Sequence, residues 1–166
     1  MDPRFRGDDD TYRHSIPILG KNYQLIFREG RTKQVKTEDN TLLIFHPYDG
    51  HHKLLTLWLK QRALHFLADQ SKQYAKLLQV KVQKVRVREV RSRWGSCSHK
   101  GNLSYSWRLI FAPLEVTQYV CAHEVAHLVH MNHSPAFWNT VALICENYKD
   151  HRNWLRSNGH TLFLYS

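Results

Sequence analysis

Between Ile16 and Pro47 the chain sets short apolar runs between polar turns. YQLIF (23–27) and TLLIFHP (41–47) are rich in aliphatic and aromatic residues, and EGR and EDN between them carry turn chemistry. Residues 15–50 are therefore expected to be β-rich. The period then changes. LLTLWLKQRALHFLADQSKQYAKLLQ (54–79) holds no Gly or Pro, and Leu55, Trp58, Leu59, Phe66, Leu67, Tyr74, Leu77 and Leu78 recur at helical spacing. That pattern predicts one long amphipathic helix. After it, Val80 and Val82, then Val85 and Val87, approximate a period of two, but the apolar parity has switched by Val90 and Trp94. A single strand over 80–98 with a bulge near Glu89 accounts for the switch. SHKGN (98–102) reads as a turn, and LSYSWRLIF (103–111) alternates cleanly, so the pair is expected to form a hairpin with one buried face.

The helical period returns in APLEVTQYVCAHEVAHLVH. Pro113 suits a first turn, where its missing N–H is not needed, and Glu115 favours the positive end of the helix dipole. A further helix is expected from Ser134 to about Asn147, and a short one over about 150–157, closed near Gly159. No repeat or low-complexity segment interrupts the series.

A length of 166 residues allows one domain with a real core and is short for two. Residues 1–14 carry no apolar signal region and are read as a disordered leader, with 15–166 as a single domain whose part 80–165 holds the chemistry. No apolar run is long enough to span a bilayer. Cys97, Cys121 and Cys145 are odd in number and widely spaced, which fits reduced thiols in a cytoplasmic protein. Nothing local activates Cys97 as a nucleophile.

Charge adds a second theme. The net charge is +10, and from Lys72 to Lys100 nine basic residues face one acid, Glu89. Such a stretch could follow a phosphate backbone, as nucleic acid or nucleotide, or simply solvate a face.

The chemistry concentrates in HEVAHLVHMNHSPAFW (123–138). His123 and His127, four apart on a helix, lie about 40° from each other with a rise of about 6 Å, so both rings can reach one ion. Glu124 sits beside that face, placed to take a proton from water rather than to be an equal ligand. A catalytic zinc takes three protein ligands and leaves one position open. Three residues compete for the third place. His133 follows His127 by six residues, with Met131 and Asn132 to turn the chain and Ser134 and Pro135 to start the next helix. Glu146 lies at a spacing close to that of thermolysin-type sites, and His130 continues the helix face but two turns from His123. His130, Tyr148, Arg152 and His160 are candidate hydrogen-bond donors beside the metal. The bland alternative is a pair of surface histidines in a chain that has twelve.

RSRWGSCSHKGNLSYSWRLIFAP, YVCAHEVAHLVHMNHSPAFW and YKDHRNWLRSNG together resemble the YgjP-like metallopeptidases, zincin-type proteins, over about Ile16 to Phe163. The chain is more distantly similar to SprT-like proteases, some of which act on DNA-bound proteins. The resemblance implies an α+β, zincin-like domain: N-terminal strands, a long helix, a hairpin or small sheet on the metal helix, and C-terminal helices. It implies one zinc ion per chain held by His123, His127 and His133, Glu124 as catalytic base, and a peptide or protein substrate. The hairpin strand 102–111, which precedes the metal helix as the edge strand does in zincins, would hold that substrate in extended form. Two other classes remain open on the residues alone. One is a metal-dependent nucleotide phosphoanhydride hydrolase, with Arg91, Arg93 and Lys100 on phosphate. The other is a nucleic-acid binder whose zinc is structural.

Overall fold

Leu19 and Gly20 both take positive φ, 48° and 84°, as a tight two-residue hairpin turn requires. Ser15–Ile18 (β1) therefore folds straight back on Lys21–Glu29 (β2), with Ile18 opposite Lys21. The computed structural model describes residues 15–165, so the leader expected over 1–14 lies outside the described residues. Asp39, at φ 49°, turns Gln34–Glu38 (β3) into Thr41–His46 (β4). β4 then runs parallel to β2, with Leu25 opposite Leu42, giving the order β1-β2-β4-β3. One face buries Ile16, Ile18, Leu25, Leu42 and Ile44. The edge strand β3 (QVKTE) is nearly all polar and is held by pairing with β4.

His51–Leu78 (α1) starts three residues before the apolar pattern and ends where Gln79 enters the left-handed region at φ 56°. Leu55, Leu59, Ala63, Leu67, Ser71 and Ala75 are its buried residues, a stripe repeating every four. At about 1.5 Å per residue a helix of this length spans roughly 42 Å, so α1 packs on the first sheet, on β5 and on α2. Ser71 is tolerated in the stripe because its hydroxyl meets the Tyr105 hydroxyl at 2.8 Å.

The region after α1 departs from expectation. Lys84–Arg88 (β5), Gly95–Cys97 (β6) and Asn102–Ser106 (β7) form a sheet of order β5-β7-β6. β6 and β7 are the antiparallel hairpin, whereas β5 pairs parallel to β7 on its other side. The expected bulge near Glu89 is instead a break: the chain leaves the sheet there and re-enters at Gly95. The Glu89 carboxylate accepts the Trp107 indole N–H and, at 2.8 Å, the Arg108 guanidinium N–H, which draws it away from any ladder. The strand expected over 103–111 likewise stops at Ser106. Its hydroxyl accepts the Arg108 N–H at 3.3 Å and starts a 3-10 turn over Trp107–Phe111, all five of whose residues are buried.

Leu114–Ala126 (α2) follows Pro113. Pro135–Ile144 (α3) is capped by Ser134, whose hydroxyl accepts the Phe137 N–H at 3.3 Å, and ends before the expected Asn147. Tyr148–Asn158 (α4) and a 3-10 turn, Gly159–Phe163, complete the described chain. No described helix is long and apolar enough to cross a membrane.

Candidate metal centre

His123 occupies the last turn of α2, and the helix tightens as it leaves Glu124. His127 N–H reaches the Glu124 carbonyl (3.3 Å), Leu128 N–H that of Val125 (2.9 Å) and Val129 N–H that of Ala126 (3.0 Å), the i−3 pattern of a 3-10 turn. His130 N–H still returns to the Ala126 carbonyl at 3.0 Å. The His130 carbonyl accepts the His127 Nδ1–H at 3.1 Å, which leaves the His127 Nε2 free to coordinate. The chain then doubles back through Met131 and Asn132 and brings His133 Nε2 to 3.3 Å from His123 Nε2. One ligand atom from each of His123, His127 and His133 lies within 4.8 Å of the others.

Aromatic rings fix the three imidazoles. Phe137, fully buried, stacks on His127 at 4.4 Å between centroids and stands edge-on to His123 and His133 at 5.0 Å. Trp138 stacks on His133 (5.9 Å) and on Tyr148 (5.3 Å). The Tyr119 hydroxyl lies 3.4 Å from His123 Nδ1, a partner one turn up the same helix. Burial, with His127, His133 and Arg152 nearby, pushes His123 down to about 3, and burial also lowers His127. Both rings are thus neutral at ordinary pH, the state in which imidazole binds a metal.

The donor set fits a tetrahedral cation. Nitrogens bound at about 2.0–2.1 Å around such an ion stand about 3.3 Å apart, the separation found between His123 and His133. Three imidazoles also leave a fourth position open.

Glu124 lies beside this cluster, with Oε1 4.0 Å from His123 Nε2 and only 6% of its surface exposed. Its carboxyl is walled by β6: a Cβ at Gly95 would come within 2.8 Å of Glu124 Cγ. Burial pushes the group up to about 8, with Arg93 pulling the other way; a cation held by the adjacent imidazoles would restore the ionised form that a base needs.

The remaining candidates separate cleanly. Tyr148 and Arg152, one turn apart on α4, both lie against Trp138, the Arg152 guanidinium 4.6 Å from the ring centre. His160 is exposed on the last 3-10 turn. Glu146 is exposed between α3 and α4, and neither it nor His130 joins the cluster among the described residues. Cys97 is half-buried; burial and then Glu124 push its thiol up to about 11, so it stays protonated. The expected substrate strand 102–111 is also corrected. β7 is paired on both sides, and among the described residues the unpaired edge next to Glu124 belongs to β6. Sequence reasoning did not identify Tyr119, although its place four residues before His123 is a helical-face signal. It also passed over the contact of Gly95 with Glu124, which no local pattern encodes. Of the nine basic residues from Lys72 to Lys100 all but Arg86 are exposed, spread over the end of α1, β5 and the loops around β6.

No curated protein matches the chain. Among solved structures, the crystal structure of the metallopeptidase zymogen of Pyrococcus abyssi abylysin aligns with a TM-score of 0.51 and 22% identity, covering 55% of this chain and 93% of that one. The likeness is one of fold. The family model described as YgjP-like, metallopeptidase domain, matches residues 4–158. With nearly its whole length matched by that model, the chain belongs to the YgjP-like metallopeptidase family.

Proposed function

We propose that this metallopeptidase is a zinc enzyme in which His123, His127 and His133 hold the ion and Glu124 is the general base for peptide-bond hydrolysis. The observation that carries the reading is the convergence of three imidazole nitrogens within 4.8 Å, with a buried carboxylate oxygen 4.0 Å from one of them. Zinc, when bound, supplies Lewis acidity that polarises a carbonyl and acidifies water. Glu124 takes the proton from the attacking water and hands it to the leaving amine. Its burial keeps bulk solvent from competing for that proton, and the close approach of Gly95 holds the carboxylate in place. The outer edge of β6 offers backbone N–H and C=O groups to an extended peptide beside Glu124. Tyr148, on α4 and stacked against Trp138, supplies a donor to the oxyanion.

The test is a hydrolase assay in which the zinc-loaded protein is offered unfolded polypeptide and nucleoside triphosphates side by side. Peptide cleavage that a chelator stops supports the reading. Turnover of nucleotide with intact peptide contradicts it.

A further inference from the structure

Arg152 differs from Arg108, which is also held against an indole. Arg108, over Trp107, is buried and spends its donors on the Glu89 carboxylate and the Tyr165 carbonyl. The Arg152 guanidinium rests on the face of Trp138 at 4.6 Å, and among the described residues it makes no ion pair and no hydrogen bond. It is partly exposed, so N–H groups of its planar edge remain available. It is also at the site. The same indole stacks on His133 and stands edge-on to His123 at 5.5 Å. A guanidinium covered on one side by an indole and otherwise unpaired is suited to two-point recognition of a carboxylate.

We propose that Arg152, held by Trp138 beside the His123–His127–His133 cluster, receives a carboxylate of the peptide substrate and thereby selects peptides that carry one close to the scissile bond. The inference rests on the peptidase reading above and adds the substrate class. Two or three residues of extended chain, about 7 to 10 Å, separate such a carboxylate from the bond to be cut. The net charge of +10 draws acidic chains toward the cleft. The carboxylate is either the peptide C-terminus or an Asp or Glu side chain, and both present the same planar anion.

The test measures binding as well as turnover. Zinc-loaded Glu124→Gln protein is titrated with N-acetylated tripeptides that differ in one group: free C-terminus against amide, and a Glu against a Gln side chain. The carboxylate forms are expected to bind about 10- to 100-fold more tightly. The acid–amide pair and the Glu–Gln pair tell the two sources apart. The preference should vanish when Arg152→Gln is added and return in part with Arg152→Lys, with zinc content and melting temperature unchanged. In the otherwise wild-type enzyme, Arg152→Gln should raise KM for carboxylate peptides only. Equal binding of all the tripeptides would overturn the proposal, as would an equal fall in kcat on every peptide, the mark of an oxyanion donor. Carboxylate preference without cleavage by the wild type would sink the peptidase reading and leave this inference standing; cleavage without preference would do the reverse.

Discussion

His123 Nε2 and His133 Nε2 stand 3.3 Å apart although one belongs to the end of α2 and the other to the loop before α3. With both rings protonated on Nδ1, the two Nε2 lone pairs face one point, and a cation between them would relieve their repulsion. A cation there ties the loop to the helix. Zinc at 100 times its dissociation constant therefore stabilises the fold by about 2.7 kcal/mol. For a domain of this size that is a rise in melting temperature of roughly 5–10 °C. Calorimetric scans with zinc and with chelator measure it, and superimposable scans would contradict it.

Glu124→Gln keeps the shape of the side chain and removes its basicity. Hydrolysis is expected to fall by about 10²- to 10⁴-fold, with zinc content unchanged because Glu124 is not among the three converging groups. Steady-state rates paired with metal analysis decide the matter. A variant that lost its zinc would instead make Glu124 a ligand.

Gly95→Ala tests the wall behind the base. The new methyl would lie 2.8 Å from Glu124 Cγ and 3.0 Å from Oε1, and a buried carboxylate has little room to retreat. Stability should drop by about 1–3 kcal/mol, as for other overpacked sites. The kcat should fall while the three histidines still bind metal. Denaturant titration and kcat on the same preparation read both effects, and an unchanged kcat would show that β6 does not position the base.

Glu89 sets an acid limit on the fold. Burial alone would raise its carboxyl, but hydrogen bonds from Trp107 and Arg108 outweigh that and hold it below its usual 4.5. A carboxyl depressed in the folded state contributes stability above its unfolded value and loses it as the pH falls through the folded one. Because Glu89 is half exposed, the contribution is modest. Wild-type stability should therefore decline more steeply below about pH 4.5 than that of Glu89→Gln, which has no carboxyl to protonate. Parallel slopes in urea titrations across that range would contradict the assignment.

Local spacing made much of this molecule legible. Leu55, Leu59 and Leu67 announce α1 because residues four apart share a helix face, and His123 and His127 mark the candidate centre for the same reason. Ser134 and Pro135 foretell the start of α3 and with it the return of the chain that brings His133 to the cluster. What stayed hidden depends on partners distant in sequence. Glu89 ends β5 through Trp107 and Arg108, eighteen and nineteen residues away, so a period-two pattern read as a bulge turns out to be two strands. The alternation of Leu103, Tyr105, Trp107 and Leu109 continues past the end of β7 because the 3-10 turn is buried on every side. β3 has almost no apolar signal, since an edge strand is held by its ladder.

The most direct test of the metal centre is elemental analysis of purified protein dialysed free of loose metal, wild type beside His133→Ala. The account predicts about one zinc per wild-type chain, and almost none in the variant even though its circular dichroism remains that of a folded chain. Folded wild-type protein that holds no transition metal after exposure to zinc, or a variant that keeps the full complement, would contradict it.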